Sequence, residues 1–162
     1  MKKFSLLALA ILASLLAFAA CSGGAQDEEE SGYALYFLSD PDSSGGGDAI
    51  AAASERFIPD ETMDTEDCVR ALMEHLLAGP DEAALRSPIP DGTMLRSLSV
   101  SGRRAEIDLS AQYARLSGID LSLADYCITL TLSQLANVNA VRITAAGSEL
   151  PYRKTQVLLA AD

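Results

Sequence analysis

The stretch from Leu76 to Ser110, LLAGPDEAALRSPIPDGTMLRSLSVSGRRAEIDLS, constrains the fold more than any other part of this chain. Just upstream, Val69, Leu72, Met73, Leu76 and Leu77 recur at helical spacing and form one apolar stripe. Gly79-Pro80 then stops the helix, because Gly accepts the cap conformation and Pro cannot continue the hydrogen-bond ladder. Beyond an irregular connection, Met94 to Val100 and Ala105 to Leu109 alternate apolar with polar residues, with a turn at Ser101-Gly102. That period belongs to strands covered on one face. A one-sided helix followed by a one-sided hairpin can remove both apolar surfaces from water by packing one on the other.

The remaining elements extend this unit. Tyr33 to Leu38 is aromatic and β-prone, and the following Ser-Asp-Pro-Asp-Ser-Ser-Gly-Gly-Gly is dense in turn residues, so a first strand leaves into a loop. Arg56 to Ile58 reads as a short second strand, with Ala49 to Glu55 as an alternative helical turn. The first helix starts near Thr65, with Glu66 and Asp67 in the turn where the helix dipole favours acids. Asp120 to Val138 is ambiguous: Ile128, Leu130 and Leu132 alternate with Thr129 and Thr131, while Leu121, Ala124, Cys127, Ile128, Leu132 and Leu135 share a helical face. Its length, without Gly or Pro, decides for a second helix, since strands are usually about half as long. Val138 to Thr144 is a final strand before Gly147, and Leu150 to Leu159 is a tail able to pair at the sheet edge. The expected fold is α+β, a two-layer sandwich of a small mixed sheet with two amphipathic helices on one face.

The motifs LLAGP, Leu85 and Ser87, IPDGT, LSV, the Gly102 turn, AEIDLS and Gln112-Tyr113 together resemble the GerMN domain of sporulation and spore-germination lipoproteins. The likeness runs on through Ile128 to Gln134 and Val141 to Thr144, and is best over residues 66–147. It implies an arrangement similar to ring-building-motif modules and a non-catalytic binding or scaffold role in envelope or spore assembly or germination.

The N-terminus sets the address. Lys2 and Lys3 precede an apolar run from Leu6 to Ala20, interrupted only by Ser14, and then Cys21. This describes a secretory signal, residues 1–20, too short to span a bilayer comfortably. Leu16 to Cys21 resembles a lipobox, which implies diacylglycerol on the Cys21 thiol and an anchor on the extracytoplasmic membrane face; Phe18 departs from the usual Leu. Residues 21–32 read as a flexible acidic tether, and 33–162 as the domain. The net charge is -11, or -13 without Lys2 and Lys3, which disfavours nucleic acid as a partner. The expected partners are the membrane through the lipid, another envelope protein or a second copy, and peptidoglycan as the alternative.

Candidate chemistry is sparse. Cys68 and Cys127 remain for the domain, as a disulfide or as two buried thiols. Ile89, Pro90, Asp91, Gly92 and Thr93 form a register-setting turn that doubles as a candidate contact loop. Glu106, Asp108 and Asp125 are the acids a wall hydrolase would need, but Asp108 belongs to the DLS element of the family resemblance. Asp40, Asp42 and Asp48 lack the spacing of a calcium loop, and His75 has no second His with which to hold zinc. No catalytic residue, metal or cofactor is expected.

Overall fold

The computed structural model describes residues 32–43, 47–151, 153 and 155–159. The signal segment, Cys21 and most of the tether lie outside the described residues.

Strand β1 (Tyr33–Ser39) pairs antiparallel with β2 (Ile50–Phe57) and, at its far end, with the two-residue β3 (Leu85–Arg86). Their order is β2-β1-β3. The second strand is longer than expected and replaces the alternative helical turn. Pairing with β1 outweighs the helical preference of Ala51, Ala52 and Ala53, because strand preference reflects the surface a segment packs against. A register shift between Ala34 and Tyr36 breaks the ladder opposite Ser54, whose N–H instead donates to Glu82 Oε1 at 2.6 Å.

Helix α1 (Thr65–Ala78) follows the sequence pattern closely. Asp64 caps it, its carboxylate accepting from the Asp67 N–H at 2.9 Å, and Gly79 ends it with an N–H donated to the His75 carbonyl. Val69, Leu72, Met73 and Leu76 are fully buried. Each such side chain contributes roughly 1.5–3 kcal/mol by leaving water.

A second sheet has the order β4-β5-β6-β7: β4 (Leu95–Ser101), β5 (Arg104–Leu109), β6 (Ala140–Ala145) and β7 (Val157–Leu159). The β4-β5 hairpin is antiparallel and β5-β6 is parallel, with β7 antiparallel at the edge, so this sheet is mixed. Parallel pairing requires a crossover, which helix α2 (Gly118–Leu132) supplies after a single 3-10 turn at Tyr113–Arg115. Ala105, Ile107 and Leu109 of β5, with Val141, Ile143 and Ala145 of β6, face the core, and their polar alternates face out. The expected single sheet is thus divided in two, the N-terminal strands forming their own.

α2 differs from its expected form in two ways. It ends at Leu132, six residues before Val138, because the chain must turn through Asn137 to Asn139 to enter β6. It is also not amphipathic. Leu121, Ala124, Ile128 and Leu132 enter the core, whereas Thr131 and the following Gln134 turn to the edge of β1. There Gln134 binds both Ala34 groups, its Oε1 accepting from the N–H at 2.9 Å and its Nε2 donating to the carbonyl at 2.7 Å. Thr131 Oγ1 accepts the Tyr36 N–H at 3.1 Å. Polar side chains therefore finish the strand edge that β3 leaves open.

Candidate contact surface

Among the described residues, polar chemistry gathers around two carboxylates, each held by several donors. Asp108 lies on the outer face of β5. Its Oδ1 accepts from Thr144 Oγ1 at 2.7 Å and from the Gly147 N–H at 2.8 Å, while Oδ2 accepts from Arg96. Burial alone would raise its pKa, but the Thr144 and Gly147 hydrogen bonds and the Arg96 charge outweigh that and hold it below the ordinary 3.8. The bond to Gly147 matters locally, because Ala146 and Gly147 both take positive φ, 52° and 78°, in the two-residue turn after β6. Such a conformation suits Gly and strains Ala by about 1–2 kcal/mol. Asp108 and the Leu109 carbonyl, which accepts the Ala146 N–H at 2.8 Å, hold that turn in place. The adjacent Ser110 closes the start of the hairpin, its Oγ accepting the Met94 N–H at 2.9 Å. The DLS element is therefore a structural hub.

Asp125 is buried on α2 and 5% exposed. Arg153 Nε donates to its Oδ2 at 2.7 Å and Nη2 to Oδ1, and Tyr113 Oη donates to Oδ1 at 2.8 Å. Arg153 Nη1 also donates to the Ile143 carbonyl at 2.6 Å. This bidentate pair ties the C-terminal tail to the helix and to β6. Burial first, and then the Asp125 charge, push the Tyr113 hydroxyl well above its ordinary pKa of 10.0. Sequence reasoning weighed Asp125 as a hydrolase acid and missed Arg153, since no pattern marks a partner 28 residues away. Glu106 is paired with Arg104 at 3.0 Å, and it shares the outer face of β5 with Asp108, away from Asp125 in the helix.

The candidate contact loop is half hidden. The Thr93 N–H and Oγ1 both donate to the Pro90 carbonyl, at 3.1 and 2.6 Å, and Gly92 supplies the positive φ of 76° at the third place of the turn. Ile89 and Thr93 are buried and Pro90 is half-buried, so Asp91 and Gly92 are what the turn offers a partner. The disulfide alternative is corrected: Cys68 and Cys127 are both free and buried. Cys68 belongs to the main core cluster, and Cys127 lies outside it. Burial pushes the Cys127 thiol up to about 12 and also raises Cys68, aided there by Asp67 and Asp64. His75 lies at the surface with its ring 5.4 Å from that of Phe57. The described residues contain no cluster of three His, Cys, Asp or Glu able to hold a metal.

The surface least explained by folding belongs to α2. Ile119, Leu123, Tyr126 and Leu130 follow one another at spacings of four, three and four, so they form one stripe on the helix. Ile119, Tyr126 and Leu130 are exposed by 73%, 62% and 39%. Beside the stripe, Leu121, Ser122, Asp125, Tyr126 and Thr129 face β7 across an open groove of about 670 Å³, with Leu159 exposed on the opposite bank. Among the described residues, the buried Thr129 hydroxyl has no hydrogen-bond partner. No helix among the described residues is long and apolar enough to cross a membrane.

One amphipathic helix, one apolar helix, a mixed sheet built round a parallel crossover and carboxylates used for structure define a small α+β domain. The family model for the Germane domain, described as sporulation and spore germination, matches residues 34–151, and the chain belongs to that family. Its fold resembles the first GerMN domain of the sporulation protein GerM from Bacillus subtilis. The TM-score is 0.61 at 18% identity, covering 80% of this chain and 98% of that one. The tandem GerMN domains of the same protein match with the same TM-score and identity, 44% of that longer chain being covered. A Clostridium perfringens protein described as a lipoprotein matches at a TM-score of 0.50 and 20% identity, covering 74% of this chain and 76% of that one. Comparison with curated proteins gives no match. The matched residues stop before Arg153 and β7, which wall the groove.

Proposed function

We propose that this chain is a lipoprotein of the extracytoplasmic membrane face whose Germane domain works by contact, holding an envelope protein or a second copy of itself in envelope or spore assembly or germination. The observation that carries this reading is the family match over residues 34–151. The lipobox-like end at Cys21 and the lipoprotein description of the Clostridium perfringens neighbour support the address. Two acyl chains on Cys21 give stable attachment where one is marginal, at about 0.8 kcal/mol per buried methylene. The acids from Asp27 to Glu30 are repelled by anionic headgroups and hold the domain off the surface.

A contact role also suits the carboxylates. Asp108 and Asp125 each have their oxygens occupied by fixed donors, so neither is placed to protonate or attack a substrate. Recognition of a wall polymer is the second reading. It is favoured by the shallow depression of about 230 Å³ that Ser97, Ser99, Glu106, Arg142 and Thr144 line on the outer sheet face. Among the described residues, no aromatic side chain lines that depression to stack on a sugar ring.

The test is metabolic labelling with a clickable fatty acid, followed by fractionation and wall-gel zymography. The chain is expected in the membrane fraction, labelled at Cys21, with label lost in Cys21→Ser and no clearing of the gel. An unlabelled chain in the cytosol would refute the anchor. Clearing that disappears in Asp108→Asn would refute the contact role.

A further inference from the structure

Between β2 and the last turn of α1 lies a cleft of about 260 Å³, which shares no residue with the groove beside α2. Its floor is apolar: Leu35 and Phe37 of β1 are buried, and Ala53 and Phe57 of β2 are half-buried. Its rim is acidic. Glu55, Asp81 and Glu82 line it, and among the described residues none of the three has an ion-pair partner. Glu82 is held in place by Ser54, whose N–H donates to Oε1 at 2.6 Å and whose Oγ donates to Oε2 at 3.2 Å. Both donors are neutral, so the carboxylate keeps its charge. The helix end adds to the field, since Ala78, Gly79 and Pro80 also line the cleft and the last turn of a helix carries partial negative charge. Arg56, also in the lining, has its guanidinium on the Gly32 carbonyl, to which Nε donates at 3.3 Å and Nη2 at 3.1 Å.

We infer that this cleft receives a lysine or arginine side chain carried by a basic segment of a protein partner. Charge selects the occupant. Residues 55–82 hold nine Asp and Glu against two Arg, so more than half of the net charge of -11 is carried by the segment that forms the rim. A field of that sign repels anionic lipid, nucleic acid and the acidic surface of a second copy, and attracts a basic partner. Lys and Arg fit both parts of the cleft, because their aliphatic stems cover apolar surface while the charged head stays at the edge. The volume agrees with one long side chain, being below the roughly 300–1,000 Å³ of pockets that enclose a whole small molecule. A bare metal ion is the poorer match, since the described residues place no three His, Cys, Asp or Glu side chains together as ligands.

This inference rests on the contact reading above and can fail without it. The full chain in neutral detergent is titrated against fluorescent hexalysine, with binding read by anisotropy, and the fully acetylated peptide serves as the uncharged control. Saturable binding is expected for hexalysine and none for its acetylated form. The double variant Glu55→Gln, Asp81→Asn should bind at least five-fold more weakly than the parent. Ala78→Phe, which narrows the mouth at an exposed position without changing charge, should do the same. The double variant Glu61→Gln, Asp120→Asn, which removes two exposed acids outside the cleft, should change binding less than two-fold. All three chains should melt at the parent's temperature. Equal weakening by the two charge variants, or full binding by Ala78→Phe, would mean that the overall acidity holds the peptide and would overturn the inference. A parent that binds no hexalysine, or binds the acetylated peptide equally well, also overturns it. Each of these results leaves the contact reading intact, which fails instead on a cytosolic chain or a cleared wall gel.

Discussion

The two helices solve different problems with similar lengths. α1 has one apolar side, which is fully used: Val69, Leu72, Met73 and Leu76 are buried, while Arg70 and Glu74 face water. α2 is apolar almost all round, and the fold covers it by three separate devices: a core, a side-chain clasp on β1 and a buried ion pair with the tail. An amphipathic helix can be explained by its own domain. A helix that remains apolar where its domain leaves it exposed points to something outside.

The largest expected effect lies in the ion pair. Arg153→Ala leaves the Asp125 carboxylate buried without its cation, a loss of about 3–5 kcal/mol, checked by urea unfolding. A loss below about 1 kcal/mol would mean that the tail does not help to cover α2. The clasp comes next. Gln134→Ala removes both partners of Ala34 and should cost about 1–3 kcal/mol by the same measurement, with faster amide exchange at Ala34.

Asp108 sharpens the comparison from the sheet side. Its folded pKa lies below 3.8, so its contribution is present above that value and is lost as pH falls through the folded value. Asp108→Asn should therefore be less stable than the parent at pH 7, and the gap should close below pH 3.8 in acid unfolding curves. Ala146→Gly relieves the positive φ and should gain up to about 1 kcal/mol, read as a higher melting temperature. The smallest effect on stability belongs to the stripe: Tyr126→Glu is expected within about 0.5 kcal/mol of the parent, since nothing in the domain needs that side chain.

What could be read from the sequence follows the same division. α1 and the β4-β5 hairpin were visible because each shows one period and one apolar side. α2 was ambiguous because Ile128 to Leu132 alternates like a strand on a segment apolar on both sides; its length decided the matter but overran its end. β2 was misplaced because an Ala-rich segment carries little strand preference of its own, and pairing with Tyr33–Leu38 supplies it. The IPDGT turn was recognised from Pro and Gly, but its inward Ile89 and Thr93 were not, since turn chemistry does not report burial. The clasp and the Arg153 pair were invisible, because Ala34 and Gln134 meet across 100 residues of chain. Residues of that kind are chosen by the finished fold.

The central claim, that α2 carries its domain on its covered sides and a protein partner on its open one, is tested most directly by in-cell photo-crosslinking of the full chain. A probe is placed at Tyr126 and, in a parallel strain, at Ser99. Protein adducts at Tyr126 in the membrane fraction, with few at Ser99, are predicted. Adducts confined to wall glycan, or protein adducts equally abundant at the two positions, would contradict it.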